Sequence, residues 1–542
     1  MLKSRRQALH RRAAEVLHDS AERAAAEPEV IAHHFTQAGV DDQAIEWWGK
    51  SGDQALRRSA FQEAIAHLGK AIAMADKAGA TSRGSIGGSA IPNQRLTQLH
   101  IAHGNALIAA RGFGAAETAA AFAKRESAAG DKDAPERLAA DYGLWAGNFV
   151  RGELSAMRAH AETFLGDVAA RPDSPEAGVA HRAAGITHWF AGEYPEAREH
   201  LEQALALFHP ERADDLAFRF GPDPGVLAMH YLALTLWPMG DIGRAVSLVG
   251  RAEARIANLT HVGTLAPGRM HAAMFDLMRG DRARVAPNAF ELSRLAREFD
   301  LNLFRAFGVF LEGWVSAASS ASGSGLEDMR RGVELLREQN VLWFDGLLKI
   351  ALAEAEDRAG DPGCALAVLD EVLAKAERVG YRAFEAEQQR ARGEILLKQD
   401  PANSAPAEEA LLTAVAFARG QGTRSFELRA ALSLAKLCQS TGRPVEAHDA
   451  LAPALEGFAP TPEMPESAEA HALVERFSVG PLRAVKPVSH SQWKGSFGTH
   501  SGPSRGDSCR LAYRPNATST VAIRNVRFTS IRDVVQTSQM RN

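Results

Sequence analysis

Gly49-Lys50-Ser51 is the string whose residue types most directly suggest chemistry, because a glycine, a lysine and a hydroxyl close the phosphate-binding loop of many nucleotide hydrolases. The first glycine of that loop belongs at position 44, which is Ala44, and the string lies in a helical run with no strand before it. Amides inside a helix are already bonded to carbonyls, so they cannot cradle a phosphate. His33 and His34 are adjacent, and His100 and His103 share a helix face, yet neither pair has an acidic ligand at metal spacing and no HExxH occurs. Cys364, Cys438 and Cys509 are far apart and form no CxxC, which reads as thiols in a reducing compartment. Gly84 to Ser89 and Ser322 to Gly325 are glycine-rich but contain no G-x-S-x-G elbow, so they read as loops. No catalytic, cofactor-binding or metal-ligating residue is assigned on these grounds, and no residue type marks a partner-binding site. Tryptophans could line a ligand groove, but at helical spacing in a repeat they read as core.

The elements around these residues are announced by a glycine followed by an acid between two apolar runs: Gly152-Glu153, Gly192-Glu193, Gly240-Asp241, Gly280-Asp281 and Gly360-Asp361. A small or β-branched residue follows five positions after four of the glycines, at Ala197, Ala245, Val285 and Ala365, and Gly442 with Ala447 repeats this without the acid. Gly152 and Gly192 are forty residues apart, as are Gly240 and Gly280. Self-similarity at that period is the signature of a helical-hairpin solenoid. The glycine ends helix A by taking positive φ, the acid favours the start of helix B, and the small residue lets the two antiparallel helices approach. Helix A often carries a large aromatic near its end, as at Trp145, Trp189, Trp237 and Trp314. The stretch GITHWFAGEYPEAREHLEQALALF, with Gly192, Tyr194, Ala197, Leu201 and Ala204, has the arrangement of a tetratricopeptide repeat. About nine such pairs are expected between Asn93 and Phe458, with turns lengthened at Ala318–Gly325 and Asp400–Ala405.

The expected fold is all-α, a tetratricopeptide-like α-solenoid of helical hairpins with a disordered C-terminal tail. Residues 1–78 read as an N-terminal helical segment, with Phe61, Ile65, Leu68 and Ile72 on one face, and 79–94 as a Gly/Ser linker. Residues 95–458 form the solenoid, 459–477 a Pro-rich turn with a capping helix, and 478–542 a disordered basic tail. Hydrophobic residues make up 46% and charged residues 24%, enough apolar surface for a real core. From Pro481 onward ten Lys or Arg face two Asp, so the net −4 divides into +8 for the tail and −12 for residues 1–480. An acidic body argues against nucleic acid as a partner. The start lacks a secretory apolar stretch, and Val226 to Met239 is too short to span a bilayer, so a cytoplasmic protein without membrane contact is expected.

Two stretches carry a family resemblance. RRQALHRRAAEVL, PEVIAHHFTQAG, AIEWWGKSGDQA and RSAFQEAIAHLGKAI cover roughly residues 5–75, and EEALLTAVAFARGQGTRSFELRAALSLAKLCQSTGRPVEAHDALAPALEGF covers 408–458. Both are similar to the C-terminal helical region of bacterial signalling proteins that join a class III adenylate/guanylate cyclase, an AAA/STAND-type ATPase and tetratricopeptide-like repeats. Neither a Walker motif nor a strand-rich cyclase segment is present, so neither activity carries over to a residue of this chain. The resemblance begins almost at Met1, as if inside a longer protein, which leads one to expect a truncated or split gene product. It implies a non-catalytic regulatory scaffold that receives a protein or peptide on a concave face lined by the A helices, in the service of an ATPase or cyclase chain. A cyclase or NTPase component, and a transcription regulator with a ligand-sensing solenoid, are the other classes in play. The second lacks a helix-turn-helix with a basic recognition helix.

Overall fold

The computed structural model describes residues 2–82, 93–112, 117–118, 120–121, 135–317 and 323–479. The basic tail beyond residue 479, the segment 83–92 and the loop 318–322 lie outside them. The fold is an all-α tetratricopeptide-like solenoid, and among the described residues there is no strand, only an isolated bridge between Thr461 and Met464.

Eight helix pairs are described after residue 135. Their A helices are Pro135–Arg151, Pro175–Ala191, Pro224–Met239, Val262–Arg279, Asn302–Ser316, Asp345–Arg358, Glu385–Gln399 and Arg424–Ser440. Their B helices are Leu154–Val168, Tyr194–Ala206, Ile242–Ile256, Arg282–Glu298, Ser324–Glu338, Pro362–Val379, Ala405–Gln421 and Pro444–Leu455. Asp41–Arg57 and Phe61–Ser82 make a similar pair ahead of them. Phe61–Ser82 runs into the segment read as a linker from residue 79, and the next helix begins at Asn93. The helix Pro465–Val479 follows the proline-rich turn.

The repeated glycine behaves as its spacing requires. Gly152, Gly192, Gly240, Gly280, Gly360 and Gly442 all take positive φ, between 71° and 97°, and end an A helix. The residue five positions on is fully buried in each unit: Met157, Ala197, Ala245, Val285, Ala365 and Ala447. The acids act less uniformly. Asp281 accepts from the Arg284 amide at 3.2 Å and Asp361 from the Cys364 amide at 2.8 Å, so these two cap helix B. Glu193 instead pairs with Arg158 at 2.6 Å and His188 at 2.7 Å.

An additional short helix, Ala213–Phe220, interrupts the regular alternation between Tyr194–Ala206 and Pro224–Met239. Its Leu216, Ala217 and Phe220 are buried, while Asp214 and Asp215 sit in its first turn where the helix dipole favours anions.

The array returns upon itself along a seam. The last carbonyls of an α-helix have no partner within it. Here Val150 O accepts from the Leu342 amide at 2.8 Å, and Phe190 O from the Arg382 amide at 3.0 Å. Trp237 O accepts from Ser425 Oγ at 2.6 Å, 188 residues further on, and Met278 O from Arg429 Nη1 at 3.0 Å. The Tyr194 hydroxyl donates to Ala383 O, 189 residues away. Aromatic side chains fill the same seam: Phe190 stacks on Tyr381 at 4.1 Å, and Trp189 packs edge-on to Phe344 and Phe384.

The seam covers the C-terminal ends of several A helices. In Pro175–Ala191, Pro224–Met239 and Val262–Arg279 nearly every residue is buried, and the loops at 341–344 and 381–384 together with the first turns of Arg424–Ser440 occupy the ends of the A helices they meet. A helix apolar on all sides is stable only when covered on all sides. Trp189 and Trp237 are therefore core, as their helical spacing suggested.

Candidate ligand-binding cavity

The apolar interior of the first units is interrupted by a cavity of about 320 Å³. Its walls come from segments distant in sequence: Leu56 and Phe61 from the N-terminal pair, Trp145 and Phe149 from the helix Pro135–Arg151, Tyr231 from Pro224–Met239, and Trp343 from the returning loop. The short helix Ala213–Phe220 adds Ala217 and Phe218, and the turn before Val262–Arg279 adds His261.

The aromatic walls are held by named contacts. Trp145 stacks parallel to Phe149 at 5.5 Å and donates its Nε1 hydrogen to Thr187 Oγ1 at 2.9 Å, which in turn donates to Ala183 O. Trp343 donates from Nε1 to the Tyr231 hydroxyl at 2.7 Å. Burial raises the Tyr231 hydroxyl well above the usual tyrosine range, so it stays neutral at every physiological pH. At the rim Arg57 lies 4.4 Å from the Phe218 ring centroid. Asp223 also faces the cavity, but its Oδ2 receives both Nε and Nη2 of Arg255, at 3.0 and 2.7 Å, and its Oδ1 caps Val226 N. It is a spent acceptor.

One charged side chain behind this wall is not spent. Arg182, 1% exposed, finds no hydrogen-bond partner for Nε, Nη1 or Nη2 among the described residues; its guanidinium lies 5.3 Å from the Tyr142 ring centroid. His230 and His271 are buried nearby, with rings 5.7 Å apart. Burial drives the His230 pKa down to about 4, and burial with the neighbouring His230 takes His271 well below its ordinary value.

A second hollow of about 290 Å³ is lined by Arg279, Arg390, Arg429, Glu387, Glu394 and Lys436 among others. Its charges neutralise one another: Arg390 meets Glu387 at 3.1 Å and Glu394 at 3.0 Å, and Arg429 meets Glu387 at 3.2 Å and Glu466 at 2.8 Å. No uncompensated charge is left there for a ligand to read.

The residues singled out by type are scattered. Gly49, Lys50 and Ser51 lie inside the helix Asp41–Arg57; Ser51 Oγ is 2.5 Å from His67 Nδ1, and Lys50 lies over the Trp47 ring at 4.4 Å. A Cβ at Gly49 would sit 2.8 Å from Leu99 Cδ2, so that glycine serves close packing. His34 Nδ1 faces His10 Nδ1 at 2.8 Å. His100 is buried, and burial lowers the pKa of His103. Among the described residues, no group of three or more His, Cys, Asp or Glu is set to hold a metal ion. Cys364 and Cys438 are buried, and burial raises the Cys438 thiol to about 11, far from the reactive thiolate. No described helix is long and apolar enough to cross a membrane. Sequence reasoning missed Tyr142, Arg182, Tyr231 and Trp343. The available signal was Arg182 itself, a lone charge in the Ala-rich run AHRAAGITHWF.

No family model matches the chain. An uncharacterized protein of Rhizobium meliloti (strain 1021) is 23% identical over 446 residues; the match takes in 82% of this chain and 42% of that protein. The chain thus spans about two fifths of the length of the curated relative it matches. Among solved structures, a Rap protein complexed with competence and sporulation factor is 12% identical, with 70% of this chain and 98% of that one covered at a TM-score of 0.49. Cut9 in its tetramer with Hcn1 is 14% identical, with 84% and 76% covered at 0.47. Human IFIT1 with m7Gppp-AAAA is 14% identical, with 83% and 89% covered at 0.37. Likeness at this level transfers no binding property.

Proposed function

We propose that this chain is a non-catalytic sensor scaffold whose ligand enters the aromatic cavity between the N-terminal pair and the first repeats. The observation that carries the reading is the cavity's position: one occupant would touch Phe61, Trp145, Tyr231 and Trp343 together. Those residues belong to the N-terminal pair, the first turn of the array and the loop that closes the seam. A ligand that prefers one arrangement of these segments shifts the population toward it, and a partner docked elsewhere on the array reads the change. The cavity lies at the small end of the range of about 300–1,000 Å³ in which small-molecule sites fall.

The family resemblance of residues 5–75 and 408–458 supports an ATPase or cyclase as that partner, carried on another chain or another part of a longer one. Protein binding along the outer faces of the array belongs to the same reading.

The test is native mass spectrometry of protein purified without detergent, beside an Ala146→Trp variant that fills the cavity. A bound mass in the wild type that is absent from a folded variant is expected. An unliganded wild type whose melting temperature no apolar compound raises sinks the proposal. Non-catalysis is tested by calorimetry with millimolar ATP, where measurable turnover would overturn it.

A further inference from the structure

Arg182 is the feature of the interior that packing does not explain. The buried or half-buried arginines of the second hollow have carboxylates: Arg279 has Asp276 at 3.1 Å, Arg390 has Glu387, and Arg429 has Glu387 and Glu466. Among the described residues, Arg182 meets neither a carboxylate nor a hydrogen-bond partner. Burial strips the guanidinium of its water, and a cation–π contact such as the one with Tyr142 returns only part of that cost. A guanidinium cannot escape by losing its proton at physiological pH. The charge therefore stands uncompensated among the described residues.

Its position ties it to the cavity. Arg182 and Ile186 are one helical turn apart on Pro175–Ala191 and share a face; Ile186 lines the cavity. Tyr142, over which the guanidinium sits, lines it too, whereas Arg182 itself does not. Of the two acids that line the cavity, Asp223 is already bound by Arg255, and Asp214 is exposed.

Resting on the reading of the cavity as a ligand site, we infer that the ligand is an amphiphilic monoanion: an apolar or aromatic body among Trp145, Phe149 and Trp343, with one carboxylate that displaces the Tyr142 ring and pairs with Arg182. A guanidinium holds a carboxylate through two parallel hydrogen bonds, and the same pair in a dry site is far stronger than in water. The anion completes the fold electrostatically, so its binding also stabilises the protein.

The experiment compares octanoate, octanol and octylammonium by calorimetry and by thermal shift, on wild type, Arg182→Met and Ala146→Trp. Octanoate should bind the wild type at least tenfold more tightly than octanol, with octylammonium weakest. Arg182→Met should melt higher than wild type when empty, bind octanol as before, and lose the preference for the anion; Ala146→Trp should bind none of them. Equal binding of octanoate and octanol to wild type, or an anion preference that survives in Arg182→Met, overturns the inference while leaving the cavity reading standing. Octanoate binding that survives in folded Ala146→Trp places the site elsewhere and overturns both. Failure of all three probes removes the cavity reading and this inference with it. Should Arg182→Met not fold, the ranking of the three probes on wild type alone decides.

Discussion

Two sets of glycine turns share one sequence pattern and differ in what surrounds them. Gly152, Gly192 and Gly240 lie against the seam: a Cβ on Gly152 would come 2.9 Å from Leu342 Cδ1, one on Gly192 3.2 Å from Arg382 O, and one on Gly240 3.2 Å from Phe458 Cζ. Gly280, Gly360 and Gly442 take the same backbone conformation, yet among the described residues an added Cβ meets nothing within 4 Å. The first set ends a helix and admits a distant loop; the second only ends a helix. A local repeat therefore fixes the hairpin, whereas closure of the array depends on partners that no repeat unit contains.

The sharpest way to break this comparison is at the aromatic seam. Trp189→Ala should cost about 3–5 kcal/mol, since it empties the space between Phe344, Tyr381 and Phe384. Truncating Phe290, which is 62% exposed, should change stability by no more than about 0.5 kcal/mol. Urea unfolding of the two variants gives the contrast directly. A seam that binds the two turns together also predicts one cooperative transition in wild type and two in Trp189→Ala.

Acid should strike the covered side next. His230 titrates near 6.5 in the unfolded chain and at about 4 when folded, so between these values the unfolded state binds more protons and stability falls as pH drops from about 6.5 toward 4. The loss at full effect is on the order of 3 kcal/mol. His271 beside it and the Arg269 charge push in the same direction. His230→Leu should flatten the pH dependence of the melting temperature; an unchanged slope would assign the lability to other groups.

The glycines themselves come third. Gly360→Ala pays only for a left-handed alanine, about 1–2 kcal/mol, while Gly192→Ala adds overpacking against Arg382 and should reach about 2–5 kcal/mol. Equal losses at both positions, read from denaturant midpoints, would dissolve the distinction between the two sets. The smallest effect separates the acids: Asp361→Ala removes a cap and costs about 1 kcal/mol, whereas Asp241, whose side chain caps nothing, should change little.

How much of this was legible from residues alone follows the same division. The glycine, the acid and the buried small residue are local, so their spacing announced the hairpins, the helix ends and the burial of Trp189 and Trp237. The short helix Ala213–Phe220 went unread, although Leu216 and Phe220 four residues apart and two acids in its first turn were visible. The seam was invisible for a different reason. Leu342, Arg382 and Ser425 meet carbonyls, and a carbonyl has no side-chain identity for a sequence to display. The cavity inherits this opacity, because its walls meet only once the array has turned, and Arg182 acquires meaning only from the carboxylate it lacks.

The seam also has a history in time. The helix Pro224–Met239 packs first on Tyr194–Ala206, Ile242–Ile256 and Val262–Arg279, but its C-terminal end stays uncovered until Ser425, 188 residues beyond Trp237, is available to cap it. At a synthesis rate of about 5–20 residues per second, that end waits on the order of 10–40 s. An open solenoid would bury each new unit against the last as it emerged. This chain instead carries an unfinished seam through much of its own translation, and its yield in cells should depend on whatever shields the C-terminal end of Pro224–Met239 during that interval.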